Sequence, residues 1–185
     1  MQIKGTGIRT NIEYFKLNYA QYYASFLEKL DSDLLRVYKD GDYSLAEWYE
    51  IKKYYLEPMT LFADIVGIKD KDAFARDIGR YSAQTTLTGV YKVFLLVSSP
   101  LYIMKKASRL MKTFYKDAES EVIDENKNWC RLRIFYFPDI NSMLEHRIAG
   151  YGEKAIEMSN ANPLYRVEKS LAKGDKETVI YYEWK

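Results

Sequence analysis

The sequence predicts an α+β fold in which a layer of about four to five helices packs on a roughly four-stranded antiparallel sheet. Apolar residues in the first two thirds of the chain recur at three- and four-residue spacings, which is the period of a helix. Beyond residue 117 the spacing changes to two, which is typical of strands. Two alternating runs at the end, 165–171 and 178–184, are joined by a short segment that contains Gly174, and this pattern predicts a β-hairpin.

Length and charge limit the class of protein. The 185 residues contain no linker or repeat, so we expect one domain over 1–185, helical over about 10–116 and sheet-containing over about 117–185. The net charge of +2, without a long basic run, argues against a nucleic-acid partner. A polar start and a longest apolar run of 93–97 predict a cytoplasmic protein with no membrane span.

Capping residues predict where the helices begin. Thr10 and Ser44 each precede a glutamate by three positions, which is the pattern of a capping box. Pro58 should kink or break the second helix, because proline lacks a backbone donor and clashes with the preceding turn. The later elements are a long helix at about 71–97 capped by Asp70, a helix from Ser99-Pro100 to about Tyr115, strands near 119–125 and 130–136, a helix at 141–159 and the closing hairpin.

Signatures of catalysis are scarce. The sequence has no Gly-rich phosphate loop and no nucleophile elbow. His146 is the only histidine, and its neighbours Glu145 and Arg147 predict the exposed side of a helix, which disfavours a role as a base or haem ligand. Cys130 alternates with apolar residues on a predicted strand, so we expect a small buried side chain. We therefore predict a protein that is not an enzyme, with no catalytic residue, metal or cofactor.

The segment 79–89 is the strongest candidate for a ligand site. Its two glycines and its run of Ser, Ala and Thr lower helix propensity, which a helix often accepts where a neighbouring helix or a ligand comes close. Large apolar residues follow, so we predict an apolar cavity between this helix and the sheet. Its predicted lining is Ser82, Thr86, Val90, Tyr91 and Phe94. Tight helix packing explains the same small residues, and both interpretations stay open.

Aromatic side chains are abundant, with 18 Tyr, 8 Phe and 3 Trp. Tyrosine combines an apolar ring with a polar tip, which suits the walls of pockets and interfaces. The same rings can also simply fill a helical core. The composition does not separate these two uses.

Three short motifs resemble a known superfamily. Residues 3–7 (Ile-Lys-Gly-Thr-Gly), Gly79-Arg-x-x-Ala83 with Leu87-Thr-Gly89, and 173–184 resemble an uncharacterised bacterial family. That family is similar to the superfamily of 4-vinyl-reductase-type sensor domains, haem nitric-oxide-binding domains and TRAPP transport subunits. The resemblance implies helices against an antiparallel sheet, an interior pocket for an apolar ligand and a homodimer.

The chain departs from that superfamily at two sites. The 4-vinyl-reductase-type domains carry a cysteine four residues before and four residues after a hairpin glycine, where this chain has Ser170 and Thr178 around Gly174. Neither hydroxyl replaces a thiolate, so the metal site is not expected. The haem-binding relatives use a proximal histidine and a Tyr-x-Ser-x-Arg motif, and this chain lacks the motif.

The leading hypothesis is a non-enzymatic module that binds or senses a small apolar molecule. It would pass a signal to a partner protein, since the sequence shows no output segment of its own. The alternative is a protein–protein interaction adaptor with a filled core and no ligand. A sizeable cavity would favour the first hypothesis, and a filled core with an exposed aromatic patch would favour the second.

Overall fold

Helices pack on one face of an antiparallel sheet, which confirms the predicted α+β class. The structure is a computed structural model that describes residues 1–185, except for the side chains of residues 90–92. Its described part contains eight α-helices, more than the predicted four to five: Gly5–Asn18 (α1), Ala20–Leu27 (α2), Ser32–Tyr38 (α3), Glu57–Val66 (α4), Lys71–Thr86 (α5), Val90–Val97 (α6), Pro100–Phe114 (α7) and Ser142–Glu157 (α8). The strands are Gln2–Lys4 (β1), Trp48–Glu50 (β2), Tyr115–Lys116 (β3), Glu119–Asn126 (β4), Trp129–Phe135 (β5), Pro163–Lys169 (β6) and Thr178–Trp184 (β7).

The large sheet has the strand order β4-β5-β7-β6, and every neighbouring pair is antiparallel. In β5 the side chains of Cys130, Leu132 and Ile134 are buried, whereas those between them are partly exposed. Leu132 lies opposite Ile180 of β7, so apolar residues of adjacent strands share one face. The predicted pair of hairpins is confirmed, since β4–β5 and β6–β7 are both antiparallel neighbours.

A second, three-stranded sheet was not predicted. Its order is β2-β1-β3, and its strands have only two or three residues each. The predicted helix start at Ser44 is wrong, because Ser44 lies before β2 and its hydroxyl accepts a bond from the N–H of Ala46. The start at Thr10 is also wrong: α1 begins at Gly5, and Thr10 lies inside it.

The long helix predicted at 71–97 is two helices. Asp70 caps α5 by accepting a bond from the N–H of Ala73, as predicted. The helix ends at Thr86, and α6 begins after Gly89, whose φ of +59° lies in a region that side-chain-bearing residues rarely adopt. The predicted cap Ser99 at the start of α7 is confirmed.

Pro58 does not break the second helical segment. It lies at the second position of α4, and the carbonyl of Tyr54, four residues before it, accepts a bond from the hydroxyl of Tyr38 at 3.0 Å in place of the missing backbone N–H. A π-helix, Lys52–Leu56, comes directly before α4. The helical path therefore continues through the proline with a change of period. No helix in the described part of the chain is both long and apolar enough to cross a membrane.

Helices α5 and α8 cross at very close range. A Cβ added to Gly79 would lie 2.0 Å from the carbonyl oxygen of Arg147, and one added to Gly150 would lie 2.2 Å from that of Arg76. Both distances are shorter than any van der Waals contact, so only glycine fits at either position. The crossing is also held by the buried Glu153 carboxylate, which accepts from Arg76 Nε at 2.8 Å. Gly79 and Gly150 are therefore the points at which the backbones of α5 and α8 touch.

The closing hairpin is attached to α8 through Glu145. This side chain is 1% exposed and accepts hydrogen bonds from the hydroxyl of Ser170 at 2.7 Å, from the hydroxyl of Thr178 and from the N–H of Ala172 at 3.3 Å. The prediction that Glu145 lies on an exposed helix side is therefore wrong. Ser170 and Thr178, at the positions where the 4-vinyl-reductase-type domains carry cysteines, donate hydrogen bonds to the carboxylate of Glu145.

Replacing Glu145 with glutamine is expected to lower the free energy of unfolding by about 2 kcal/mol. The amide keeps the shape of the carboxylate but has one acceptor oxygen, and its NH₂ group would face the hydrogen-bond donors of the hairpin. Urea denaturation measures the change. The matched control is Glu183→Gln on the exposed side of β7, for which we expect a change of about 0.5 kcal/mol or less. Equal losses in the two variants would contradict the role of Glu145.

Candidate functional site

A cavity of about 70 Å³ lies between α1, α5, α7, α8 and the strands β5 and β7. A space of roughly 10–15 Å³ on this measure holds one water molecule, so the cavity has room for a small organic group. Most of its wall is apolar. The apolar wall includes Met104, Ala107, Leu110, Met111, Leu132 and Ile148.

A second pocket of about 370 Å³ (the outer pocket) lies between α6, α7 and α8 and adjoins the first space (the inner cavity). Phe94 and Leu95 of α6 and Ile103 of α7 contribute to its apolar wall. Ala107, Leu110 and Tyr151 line both spaces, so these three residues form the boundary between them. A ligand longer than the inner cavity would have to pass this boundary.

The structure places three of the five predicted lining residues beside these spaces. Ser82 and Thr86 line the inner cavity, and Phe94 lines the outer pocket. The side chains of Val90 and Tyr91 lie outside the described residues. Both interpretations of the 79–89 segment apply, because Gly79 contacts α8 whereas the next turn of α5 faces the cavity. A ligand-binding role for these residues stays a prediction.

Sequence reasoning missed Arg147, the most polar part of the cavity wall. This side chain is 5% exposed, although the pattern around His146 predicted an exposed helix side. Arg147 Nη2 donates to Thr10 Oγ1 at 2.9 Å and to Ser82 Oγ at 2.8 Å, and Nη1 donates to the hydroxyl of Tyr115 at 3.3 Å. Its three hydroxyl partners also line the cavity.

No carboxylate among the described residues pairs with Arg147. Its Nε has no hydrogen-bond acceptor there either. The guanidinium lies over the ring of Tyr55 at 4.9 Å, but burial raises the pKa of the Tyr55 hydroxyl well above its ordinary value, so this ring carries no negative charge. The cation is therefore held by neutral groups alone.

A signal for the burial of Arg147 was present in the sequence. Ala149, Gly150 and Gly152 follow within five positions, and small residues allow other elements to approach a helix from several sides. In the structure, Gly150 meets α5 and Gly152 meets the ring of Tyr182. A helix surrounded in this way buries its charged side chains as well as its apolar ones.

His146 and Cys130 do not line the cavity. His146 Nδ1 lies 2.9 Å from the hydroxyl of Tyr165, and Nε2 lies 3.6 Å from the carboxylate of Asp72. Cys130 is fully buried, as predicted, and this burial raises the pKa of its thiol to about 12. No group of three or more His, Cys, Asp or Glu residues in the described part of the chain is placed to hold a metal ion.

No protein-family model matches this sequence, and no curated protein matches it. Solved structures of H-NOX proteins do match its fold. An unliganded Fe(II) H-NOX protein from K. algicida superimposes with a TM-score of 0.75 at 11% identity, covering 99% of this chain and 97% of that one. An H-NOX protein from S. oneidensis in the Fe(II)NO state gives 0.75 at 12% identity, covering 99% of both chains. An H-NOX protein from Shewanella woodyi gives 0.69 at 11% identity, covering 97% of this chain and 93% of that one. The chain therefore has the fold of H-NOX proteins over nearly its whole length.

Proposed function

We propose that this protein is a non-enzymatic sensory module that binds a small molecule with an apolar body in the cavity between α5, α7, α8 and the sheet. The observation that carries the proposal is the cavity itself, an apolar space between the helices and the sheet, next to a larger apolar pocket. H-NOX proteins, which share the fold, have been solved in unliganded Fe(II) and Fe(II)NO states. Their common architecture supports a binding role.

Haem does not fit this cavity. None of the residues that line it is a histidine or a cysteine, and His146 contacts Tyr165 and Asp72 outside it. Sites for drug-sized ligands measure roughly 300–1,000 Å³, and a haem is no smaller than such a ligand. The inner cavity, at about 70 Å³, is too small for the macrocycle. We therefore propose an organic ligand in place of haem.

The walls explain how binding could be transmitted. Helix α7 contributes Met104 and Met111, and α8 contributes Ile148 and Tyr151. A ligand that fills the space contacts both helices and favours the arrangement in which their contacts with it are best. A partner protein that binds differently to the liganded and the ligand-free arrangement of the two helices would receive the signal.

Replacing Ala107 with phenylalanine tests the binding site. The inner cavity, at about 70 Å³, holds only part of an eight-carbon probe, so the rest of the probe would extend past Ala107 into the neighbouring pocket. The added ring should block the volume that the probe needs at this boundary. We expect the affinity for octanol, measured by calorimetry and by displacement of the neutral fluorophore N-phenylnaphthylamine, to fall by about tenfold or more, since tenfold corresponds to ~1.4 kcal/mol.

The matched control is Thr113→Phe, which adds the same ring at an exposed position of the same helix that lines neither space. Its affinity should equal that of the wild type. If the wild type binds neither octanol nor the fluorophore, the proposed function is wrong.

The adaptor alternative has one observation in its favour. Val93, Leu96 and Val97 of α6 and Tyr102 of α7 are exposed apolar residues, and such patches often contact other proteins. The adaptor hypothesis also requires a filled core, whereas the core here contains a cavity. Failure of the wild type to bind any apolar probe would favour this alternative.

A further inference from the structure

We propose that the ligand of this cavity is an organic acid with an apolar body, and that its carboxylate pairs with Arg147. This inference rests on the proposed function and names the chemical class of its ligand. It starts from a buried cation without an anionic partner at the wall of an otherwise apolar space.

The contrast with other arginines shows that this arrangement is unusual for the chain. Arg76 and Arg80 lie near Arg147 along the α5–α8 crossing, and both pair with the carboxylate of Glu153. Both are also more exposed than Arg147, with 38% and 27% of their side chains accessible. The most buried of these three cations is therefore the one that lacks a counter-ion among the described residues.

A buried guanidinium held by neutral hydroxyls alone is costly. Taking a charge out of water costs several kcal/mol even after relaxation, and an opposite charge is the usual compensation. Glu145, on the same helix, cannot supply it because its oxygens accept bonds from the closing hairpin. A carboxylate in the adjoining cavity would provide the missing charge and an acceptor for Nε.

The hydroxyls around Arg147 fit this role. Thr10 donates its own hydrogen to the carbonyl of Gly7 at 2.8 Å, so its oxygen is directed as an acceptor to Arg147. The hydroxyl of Ser82 accepts from Arg147, and among the described residues no acceptor takes its own hydrogen. Ser82 could therefore donate to a ligand oxygen beside the guanidinium.

Charge balance favours a monoanion over a phosphate. Among the described residues, Arg147 is the one cation that lines the cavity, so a dianionic phosphate would leave a negative charge uncompensated there. A carboxylate is neutralised by one guanidinium and matches its planar shape. The remaining wall, formed by Met104, Met111, Leu132 and Ile148, would contact the apolar body.

The test compares octanoate, octanol and octylamine, which share a chain and differ in the head group. Calorimetry on the wild type should show octanoate binding about tenfold or more tighter than octanol, with octylamine weakest. Arg147→Met should bind octanoate no more tightly than octanol. Arg147→Lys, which keeps the charge, should recover part of the preference.

The outcomes separate this inference from the proposed function. Equal binding of octanoate and octanol by the wild type would overturn the proposed pairing of a ligand carboxylate with Arg147, and it would leave the proposed apolar binding site unaffected. Absence of binding by all three would overturn both. Should Arg147→Met fail to fold, pH provides a second measurement on the wild type. Affinity for octanoate should fall as the pH drops through the pKa of the ligand's own carboxyl group, whereas affinity for octanol should not, and parallel behaviour of the two ligands would contradict the pairing.

Discussion

Replacing Gly79 with alanine is expected to lower the free energy of unfolding by about 3 kcal/mol or more, at the upper end of the cost of overpacking a core. Helix propensity alone predicts the opposite, because alanine stabilises a helix interior by about 1 kcal/mol relative to glycine. The close contact in the structure decides that the change in the free energy of unfolding is a loss. The new Cβ would lie 2.0 Å from the carbonyl oxygen of Arg147, and a backbone atom cannot rotate away as a side chain can.

The same variant should also weaken ligand binding. Relief of the clash requires α8 to move away from α5, which lengthens the 2.8 Å contact between Arg147 and Ser82 at the cavity wall. We therefore expect a lower affinity for octanoate in the protein that remains folded. Calorimetry at a temperature well below the melting point would measure it.

Urea denaturation measures the stability change in Gly79→Ala, and Gln84→Gly on an exposed position of the same helix is the matched control. The control changes propensity without touching α8, so its cost should be about 1 kcal/mol or less. A stabilised Gly79→Ala variant would show that the two helices tolerate a wider separation.

The sequence predicted the large sheet well, because its strands are long enough for a period of two to be visible. Cys130, Leu132 and Ile134 repeat in this way and are all buried. The small sheet could not be found, since strands such as Gln2–Lys4 are too short to show any period. Its strands exist because they pair with each other, and local sequence does not record that pairing.

The capping signals succeeded or failed according to tertiary contacts. Asp70 and Ser99 cap helices whose starts lie in exposed turns, where the local hydrogen bond decides the conformation. Thr10 begins a capping-box pattern but lies inside α1, where its hydroxyl donates to the carbonyl of Gly7 and accepts from Arg147. A side chain recruited by a distant residue cannot be recognised from its own neighbours.

The sequence predicted those residues of the candidate site that are locally unusual, and it missed those that only tertiary contacts place there. Ser82 and Thr86 were found because small polar residues in a helix are locally unfavourable and therefore conspicuous. Arg147 was missed because charged residues are usually exposed, and the elements that bury it, including α1 and α5, are distant from it in sequence. The boundary residue Ala107 carries no local signal at all, since alanine is ordinary in a helix.

Replacing Phe62 with alanine is expected to lower the free energy of unfolding by about 4 kcal/mol, because the change removes a large buried ring and leaves a cavity. Phe62 is fully buried in α4, and its ring centroid lies 3.9 Å from that of Phe15 and 5.2 Å from that of Phe26. Phe62→Leu fills most of the space and should cost about 1–1.5 kcal/mol. Leu17→Ala, at a position 69% exposed, is the surface control and should change stability by about 0.5 kcal/mol or less.

This variant also separates the two uses of aromatic rings that the composition could not distinguish. Phe15, Phe26 and Phe62 do not line the inner cavity, whereas Tyr115, Tyr151 and Tyr182 do. If the phenylalanine cluster serves stability alone, folded Phe62→Ala should bind octanoate as tightly as the wild type while melting at a lower temperature. A loss of affinity in the folded variant would show that the cluster and the cavity are coupled, and Gly79→Ala would then no longer be distinct in affecting both properties.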